Sequence, residues 1–186
     1  MDSTDVVGAR GASAFGEHQL HDSSGGPVVV GANWYRFRAG EHIRHERVES
    51  VAFVWVVQGS GLITCHGKSF ELTSNSILRL PWKHNVDYRP DVSSPFHVGT
   101  IHLIPWHDFT VPVVPRVGVH PGDPLLDSPW RRGPADPERP SMLSSHSTTG
   151  RNVIALASYA VDRFLTGRTD ERSLRSLGTL IADESS

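Results

Sequence analysis

The feature that most limits the fold is a series of short apolar runs between Val28 and about Pro105, separated by only a few turn residues. The connections QGSG, CHGKS and LTSNS are too short for the long crossovers that parallel strands need. The pattern therefore predicts antiparallel hairpins in a β-sandwich or barrel. The runs are rich in residues that favour strands, and they read VVVGANWYRF, SVAFVWVVQ, GLITC, KSFEL, SILRL, HNVDY and FHVGTIHLI.

The remaining sequence divides into three further regions around this β region, which we place at residues 28–110. Residues 1–27 are rich in Gly, Ser, Ala and Asp and predict a flexible N-terminal arm. Residues 111–147 are rich in proline, which removes ladder donors and interrupts helices, so they predict an extended, partly ordered connection with room for one edge strand. Residues 148–186 predict helices. At 186 residues, the chain suits one domain with accessory segments.

Two amphipathic segments in residues 148–186 predict a helical hairpin. The first follows possible caps at Thr148 and Thr149 and ends at Gly167, and the second begins at Thr169 or Asp170. The apolar residues recur at spacings of three and four, as on one side of a helix: Ile154, Ala157, Val161, Phe164 and Leu165 in the first segment, and Leu174, Leu177, Leu180 and Ile181 in the second.

Composition excludes several classes of function. The chain has 18 basic and 20 acidic side chains, a formal charge of -2, and no long run of one sign, so it offers no broad surface for nucleic acid. The single cysteine, Cys65, cannot form an intramolecular disulfide, and the N-terminus lacks a secretory leader. No apolar run approaches the roughly 18 residues of a membrane span. We expect a soluble, cytoplasmic protein.

The stretch RAGEHIRHERVES, residues 38–50, carries the densest group of polar side chains. His45, Arg47 and Glu49 are two apart, so on a regular strand they share one face and predict a polar binding cup. Arg47 would offer a fork to a carboxylate, a phosphate or sugar hydroxyls, and Glu49 would orient it or accept from the ligand. By the same alternation, we expect ligand contacts from Trp34 and Arg38 near the mouth; the alternative is that Tyr35 and Phe37 are core and Arg36 and Arg38 are exposed. On the last strand we expect a contact from His102 rather than from His97, which faces the other way.

Six positions within residues 33–105 occur in a recognisable order: His45, Gly59, Gly61, Gly67, Pro81 and His84. This order resembles the cupin superfamily, and more closely the N-terminal sensing domain of AraC-type transcription regulators. The helices of residues 151–183 are similar to the pair that follows the barrel in those regulators. The resemblance implies a cupin-like barrel, a double-stranded β-helix or jelly roll, followed by a two-helix hairpin, and it implies that His84 binds a ligand.

The sequence departs from the metal-binding pattern that this resemblance implies. His45 falls on the first ligand position, but Arg47 stands at the second and Ala52 at the glutamate position. A guanidinium stays protonated and repels a cation, so we expect no metal cofactor. One alternative set, His42, His45, Glu49 and His84, could hold Zn, Fe, Mn or Ni. It requires a bulge, because residues 42 and 45 face opposite ways on a regular strand.

Three functions remain open. The first is a non-enzymatic sensing module that binds a small polar effector, such as a sugar or organic acid, and forms a homodimer through its helices. The regulators it resembles carry a helix-turn-helix module after those helices, so we expect DNA contact only through a C-terminal module that this chain does not contain. The alternative is a metal-dependent cupin enzyme, a dioxygenase or sugar isomerase. The third is a structural dimerisation domain with a filled barrel.

Overall fold

The protein is mainly β, with two helices at its C-terminal end. The computed structural model describes residues 24–186. The arm predicted for residues 1–27 lies outside the described residues up to position 23, and Gly25 already begins the first strand. The elements are β1 (Gly25–Arg36), β2 (Ile43–Val48), β3 (Val51–Gln58), β4 (Gly61–Cys65), β5 (Lys68–Leu72), β6 (Ser76–Leu80), β7 (His84–Pro90), β8 (His97–Asp108), β9 (Arg131–Arg132), β10 (Ser141–Ser144), α1 (Thr148–Leu165) and α2 (Glu171–Glu184).

The strands form two sheets. The six-stranded sheet has the order β1-β8-β3-β6-β10, with β9 paired to β8, and the four-stranded sheet has the order β2-β7-β4-β5. All of these strand pairs are antiparallel, as the short connections predicted. Apolar residues from both sheets form one core between them, including Val54, Ile63, Leu78 and Val86. The two-sheet arrangement of a sandwich is therefore confirmed.

Only one of the three predicted hairpins is formed. CHGKS closes the β4–β5 hairpin, whereas QGSG joins β3 to β4 and LTSNS joins β5 to β6, and both carry the chain from one sheet to the other. At the first of these corners, Gly59 has a φ of 76°, and a Cβ there would lie 2.4 Å from the carbonyl oxygen of Pro95. Periodicity cannot distinguish such a corner from a hairpin, because both need a tight turn between two apolar runs.

The two faces of the larger sheet pack against different partners. In β3, Ala52 and Val54 face the core between the sheets, while Phe53 and Trp55 face the other way. This alternation follows from the period of two in a strand. The outer face is covered by the helices, so the six-stranded sheet separates two apolar cores.

The helices pack on their own chain. Ser147 caps α1 by accepting from the backbone N–H of Gly150, one residue before the predicted caps, and Asp170 caps α2 as predicted. Gly178 allows α2 to approach β1 closely, since a Cβ there would lie 2.6 Å from the backbone of Val28. The predicted apolar stripe is largely covered by the sheet, with Ala157, Val161, Leu174, Leu177 and Ile181 buried.

Because the sheet covers the apolar stripes of the helices, a dimer interface could use only the side chains on their outer surface. Tyr159, Leu165 and Leu180 are the large apolar side chains of the helices that stay exposed. Dimerisation through the helical pair stays a prediction, and it would have to use this outer surface. In the part of the chain that the structure describes, neither helix is both long enough and apolar enough to cross a membrane.

The proline-rich connection is more ordered than we predicted. It contributes two strands, β9 and β10, to the larger sheet, where one edge strand was expected. Between Val114 and Arg131 it runs without a strand of its own until β9 and passes over the space between the sheets. We call residues 114–131 the strap.

Candidate functional site

A cavity of about 270 Å³ lies between the two sheets. It is slightly smaller than the roughly 300 to 1,000 Å³ of sites for drug-sized ligands, so it suits a small guest. Its walls come from β1, β2, β7 and β8 together with the strap. The lining residues are Asn33, Tyr35, Phe37, Ile43, His45, Val48, His84, Val86, Tyr88, Val98, Thr100, His102, Val117 and Val119.

Three of the seven predicted ligand-binding residues line this cavity together: His45, His84 and His102. In β8, Val98, Thr100 and His102 share the face that borders the cavity, as the alternation predicted. His97 lies on the opposite face, where its ring lies 6.1 Å from that of Trp34. The ligand-binding role of His45, His84 and His102 stays a prediction.

A β-bulge in β2 decides which side chains of the polar stretch reach the cavity. His45 pairs with Val86, but Val48 pairs with His84, so three steps along β2 oppose two along β7. The extra residue places His45 and Val48 on the same face, and both line the cavity. Arg47 is thereby turned away. The predicted shared face of His45, Arg47 and Glu49 is not formed, because the prediction assumed a regular strand.

The cavity histidines are held neutral. Burial lowers the pKa of His84 to about 4, against the opposing effect of hydrogen bonds to the backbone of Pro81 and Ser50. Burial likewise lowers the pKa of His102 to about 3, with a smaller contribution from His84 and His45. The pKa of His45 is also lowered, first by burial and then by the charge of His120. Near pH 7 each imidazole therefore offers one donor and one acceptor.

One backbone contact and one side-chain contact orient the rings of His84 and His102. His84, of which 1% is exposed, donates from Nδ1 to the carbonyl oxygen of Pro81 over 2.6 Å. Nδ1 of His102 shares a 2.9 Å hydrogen bond with the hydroxyl of Ser50, a fully buried residue. These contacts orient the rings without a guest, as binding sites with rigid polar groups require.

No charged side chain lines the cavity among residues 24–186. Its polar groups are the three imidazoles, an amide, a threonine hydroxyl and two phenols, and valines form much of the remaining surface. Burial raises the pKa of Tyr88, which keeps that phenol protonated. A charged guest would lose its hydration without meeting an opposite charge, which is costly. The lining therefore favours an uncharged, partly polar guest.

Arg47 and Glu49 form an ion-pair cluster beside the cavity rather than a cup inside it. The Glu49 carboxylate is 2% exposed and lies 3.2 Å from Arg47 Nη2 and 3.2 Å from Lys83 Nζ. Asp127 of the strap also pairs with both cations, at 2.8 Å from Lys83. The guanidinium predicted to receive a carboxylate ligand is thus occupied by two carboxylates of its own chain.

Trp34 and Arg38 do not reach the cavity. The Trp34 ring packs edge-on against Trp55 at 5.2 Å between centroids, on the helix side of the sheet. Arg38 is exposed, and its backbone N–H donates to Glu41 over 2.8 Å. Tyr35 and Phe37, the alternate residues on β1 and just after it, take the cavity positions instead.

The alternative metal set is not brought together. His42 is exposed and donates to Asp87 over 2.8 Å, while Glu49 is engaged by Arg47 and Lys83. The remaining pair, His45 and His84, provides only two of the four donors. Among residues 24–186, no group of three or more His, Cys, Asp or Glu side chains is arranged to hold a metal ion. The predicted donors therefore do not fit a metal cofactor.

Several cavity residues were not predicted from the sequence. Val117 and Val119 come from the proline-rich connection, where no periodicity marks an inward face. Tyr88 and Thr100 could have been found from strand parity once His84 and His102 were placed inside, whereas Asn33 has the parity opposite to that predicted from Trp34. Ser50 does not line the cavity but holds His102, and only the three-dimensional contact reveals it.

Comparison with known proteins gives a limited result. No protein family and no curated protein matches this chain. The crystal structure of a cupin protein from Bacteroides fragilis is similar over 51% of this chain and 81% of its own length, with 21% sequence identity and a TM-score of 0.31. The cavity is therefore the feature that bears on function.

Proposed function

We propose that this chain is a binding module for a small, uncharged, partly polar molecule held between its two sheets. The observation that carries the proposal is a cavity with three neutral imidazoles, two of them oriented by hydrogen bonds, and no charged side chain in its lining. Such a site can hydrogen-bond hydroxyl or amide groups while its valines and aromatic rings contact the carbon skeleton.

The biological setting that we propose is effector sensing, as in the AraC-type regulators that the sequence resembles. In that role the two-sheet unit would be a cupin-like barrel and the guest its effector. The helices on the outer face would change position or packing when the guest binds. They would also form a homodimer, and DNA contact would be made by a separate module. The arrangement that supports this proposal is the single sheet shared by the cavity and the helices.

The proposed effector differs from the organic acid that the sequence suggested. That idea depended on a guanidinium at the cavity, and Arg47 instead pairs with Glu49 and Asp127. A sugar or another neutral polyol remains compatible with the lining. We further propose that the module is not an enzyme, since the donor set suggested for a metal-dependent reaction is divided between separate contacts.

The test measures the binding of compounds in matched pairs. One member of each pair is a neutral alcohol, amide or sugar, and the other is its carboxylate or ammonium counterpart. Binding is followed by chemical-shift changes in 15N-labelled protein, with signals of Val86, Thr100 and His102 as reporters of the cavity. We expect neutral members to shift these signals and charged counterparts not to do so. The matched control is Val98→Phe, which fills the cavity. Preference for the charged members, or equal binding by the control, would refute the proposal.

A further inference from the structure

Within residues 24–186, the strap forms the one wall of the cavity that is not part of a β-ladder. The other lining residues belong to β1, β2, β7 and β8 or follow β1 directly, as Phe37 does. Val117 and Val119 of the strap line the remaining side. Between them, the carbonyl of Gly118 accepts from the backbone N–H of Glu49 over 3.1 Å. Residues 114–130 can therefore move without breaking a ladder, since within the strap the pairing with β8 begins at Arg131, whereas movement of the other walls would separate paired strands.

One end of the strap is held down by a cluster of four charged side chains, which we call the latch: Arg47, Glu49, Lys83 and Asp127. Glu49 is its buried centre, and besides the two cations its carboxylate accepts from the backbone N–H of Asp127 over 2.7 Å. The other three side chains are partly exposed, at 37% for Arg47, 42% for Lys83 and 61% for Asp127. Attraction between such exposed charges weakens as salt screens them.

The strap also carries hydrogen bonds and an ion pair within itself. Arg131, which is 4% exposed, donates to the carbonyl oxygens of Arg116 over 2.9 Å and Val114 over 2.8 Å. Arg116 in turn pairs with Asp123, with a second contact of 3.0 Å. These bonds join the two ends of the strap to each other rather than to the cavity.

The latch is directly continuous with the cavity wall. Val48, immediately before Glu49, lines the cavity, and Ser50, immediately after it, holds His102. Lys83 precedes His84 in the same way. A displacement of the latch is therefore transmitted through one peptide unit to the side chains that would contact a guest.

We propose that the strap is the gate of the cavity and that the latch sets how often it opens. A guest exchanges when Asp127 leaves Glu49, Arg47 and Lys83 and the two valines swing away from the opening. Release of the latch loosens the histidine wall, so a guest that fixes this wall also favours the closed strap. The gate deepens the proposed function, but the test below requires no natural guest, so the two can fail separately.

The test places a reporter thiol inside the cavity by Thr100→Cys, at a residue that is 6% exposed. Its reaction with methyl methanethiosulfonate is timed by peptide mass spectrometry. Cys65 provides an internal control, because it is fully buried, lies outside the cavity lining, and burial raises the pKa of its thiol to about 11. Its reaction reports opening that is not confined to the strap.

The decisive comparison adds Asp127→Asn to the reporter protein. Asparagine tolerates the positive φ of 55° at this position, so the backbone is retained. We expect reaction at position 100 to become about two- to five-fold faster at low salt, as loss of exposed ion pairs allows, while Cys65 stays slow. The reporter alone should also accelerate in 0.5 M NaCl, and the Asp127→Asn protein should respond less to salt. Asp87→Asn removes a carboxylate from β7 outside the latch and should change nothing.

Two results would overturn the gate. If Asp127→Asn leaves the rate at position 100 unchanged, guests reach the cavity by another route. If position 100 and Cys65 accelerate equally, the latch stabilises the whole domain and does not control local opening. Either result leaves the binding function proposed above to its own test.

Discussion

Mild acid should destabilise this fold through His84 and His102, the two histidines whose pKa is lowered furthest. The pKa of His84 is lowered to about 4 and that of His102 to about 3, both from 6.5 and mainly by burial. Below pH 6.5 the unfolded chain therefore binds two protons that the folded chain does not bind. The contribution of the two neutral histidines to the free energy of unfolding is fully present above pH 6.5. It is lost as the pH falls, until the pH reaches the folded-state pKa of each residue.

The magnitude follows from the distance between the unfolded pKa and the working pH. From pH 6.5 to pH 5, each histidine lowers the free energy of unfolding by about 1.36 kcal/mol per pH unit, which amounts to about 2 kcal/mol. The pair gives about 4 kcal/mol, a large part of the roughly 5 to 15 kcal/mol of a typical domain. Burial also lowers the pKa of His45, His97 and His107, so these residues act in the same direction.

Urea denaturation at pH 7 and pH 5, followed by tryptophan fluorescence and circular dichroism, measures this loss. His102→Gln should remove about 2 kcal/mol of the difference between the two pH values, because glutamine does not titrate. His66→Asn is the matched control, since His66 is exposed at a turn with a φ of 48° that asparagine also adopts. A difference below about 1 kcal/mol between pH 7 and pH 5, or an undiminished difference in His102→Gln, would refute the reasoning.

Three further predictions concern packing and metal content. Gly99→Ala should lower the free energy of unfolding by about 1 to 3 kcal/mol, because its Cβ would lie 2.2 Å from the ring of Trp55 and 2.4 Å from that of Trp34; an unchanged urea midpoint would contradict this. Leu174→Ala should cost about 2 to 5 kcal/mol by leaving a cavity under α2, measured as a lower urea midpoint at a constant m-value. One equivalent of Zn²⁺ should leave Tm unchanged, since His42 lies outside the cavity; a rise abolished by His42→Ala would contradict this.

The strands and helices could be predicted because their residues repeat with simple periods. A period of two placed Thr100 and His102 together, and spacings of three and four placed Leu174 and Ile181 on the covered side of α2. These patterns depend on local backbone geometry and on burial of one face, and a single sequence carries both.

The orientation of Arg47 could not be predicted in the same way. It depends on a bulge, and a bulge is defined by the register between β2 and a distant strand, β7. The strap poses a related problem, because Val117 and Val119 sit among prolines without any period. Their place at the cavity follows from long-range contacts such as the one between Asp127 and Glu49.

The larger sheet is a single layer that separates the cavity from the helices. Along β8, Thr100 and His102 border the cavity, while the alternate residues Ile101 and Leu103 press on the helical layer. We expect that exchanging one aliphatic residue for another on the helical side would shift β8 and change the volume of the cavity behind it. The selectivity of the proposed binding site could then be altered at positions that do not contact the guest.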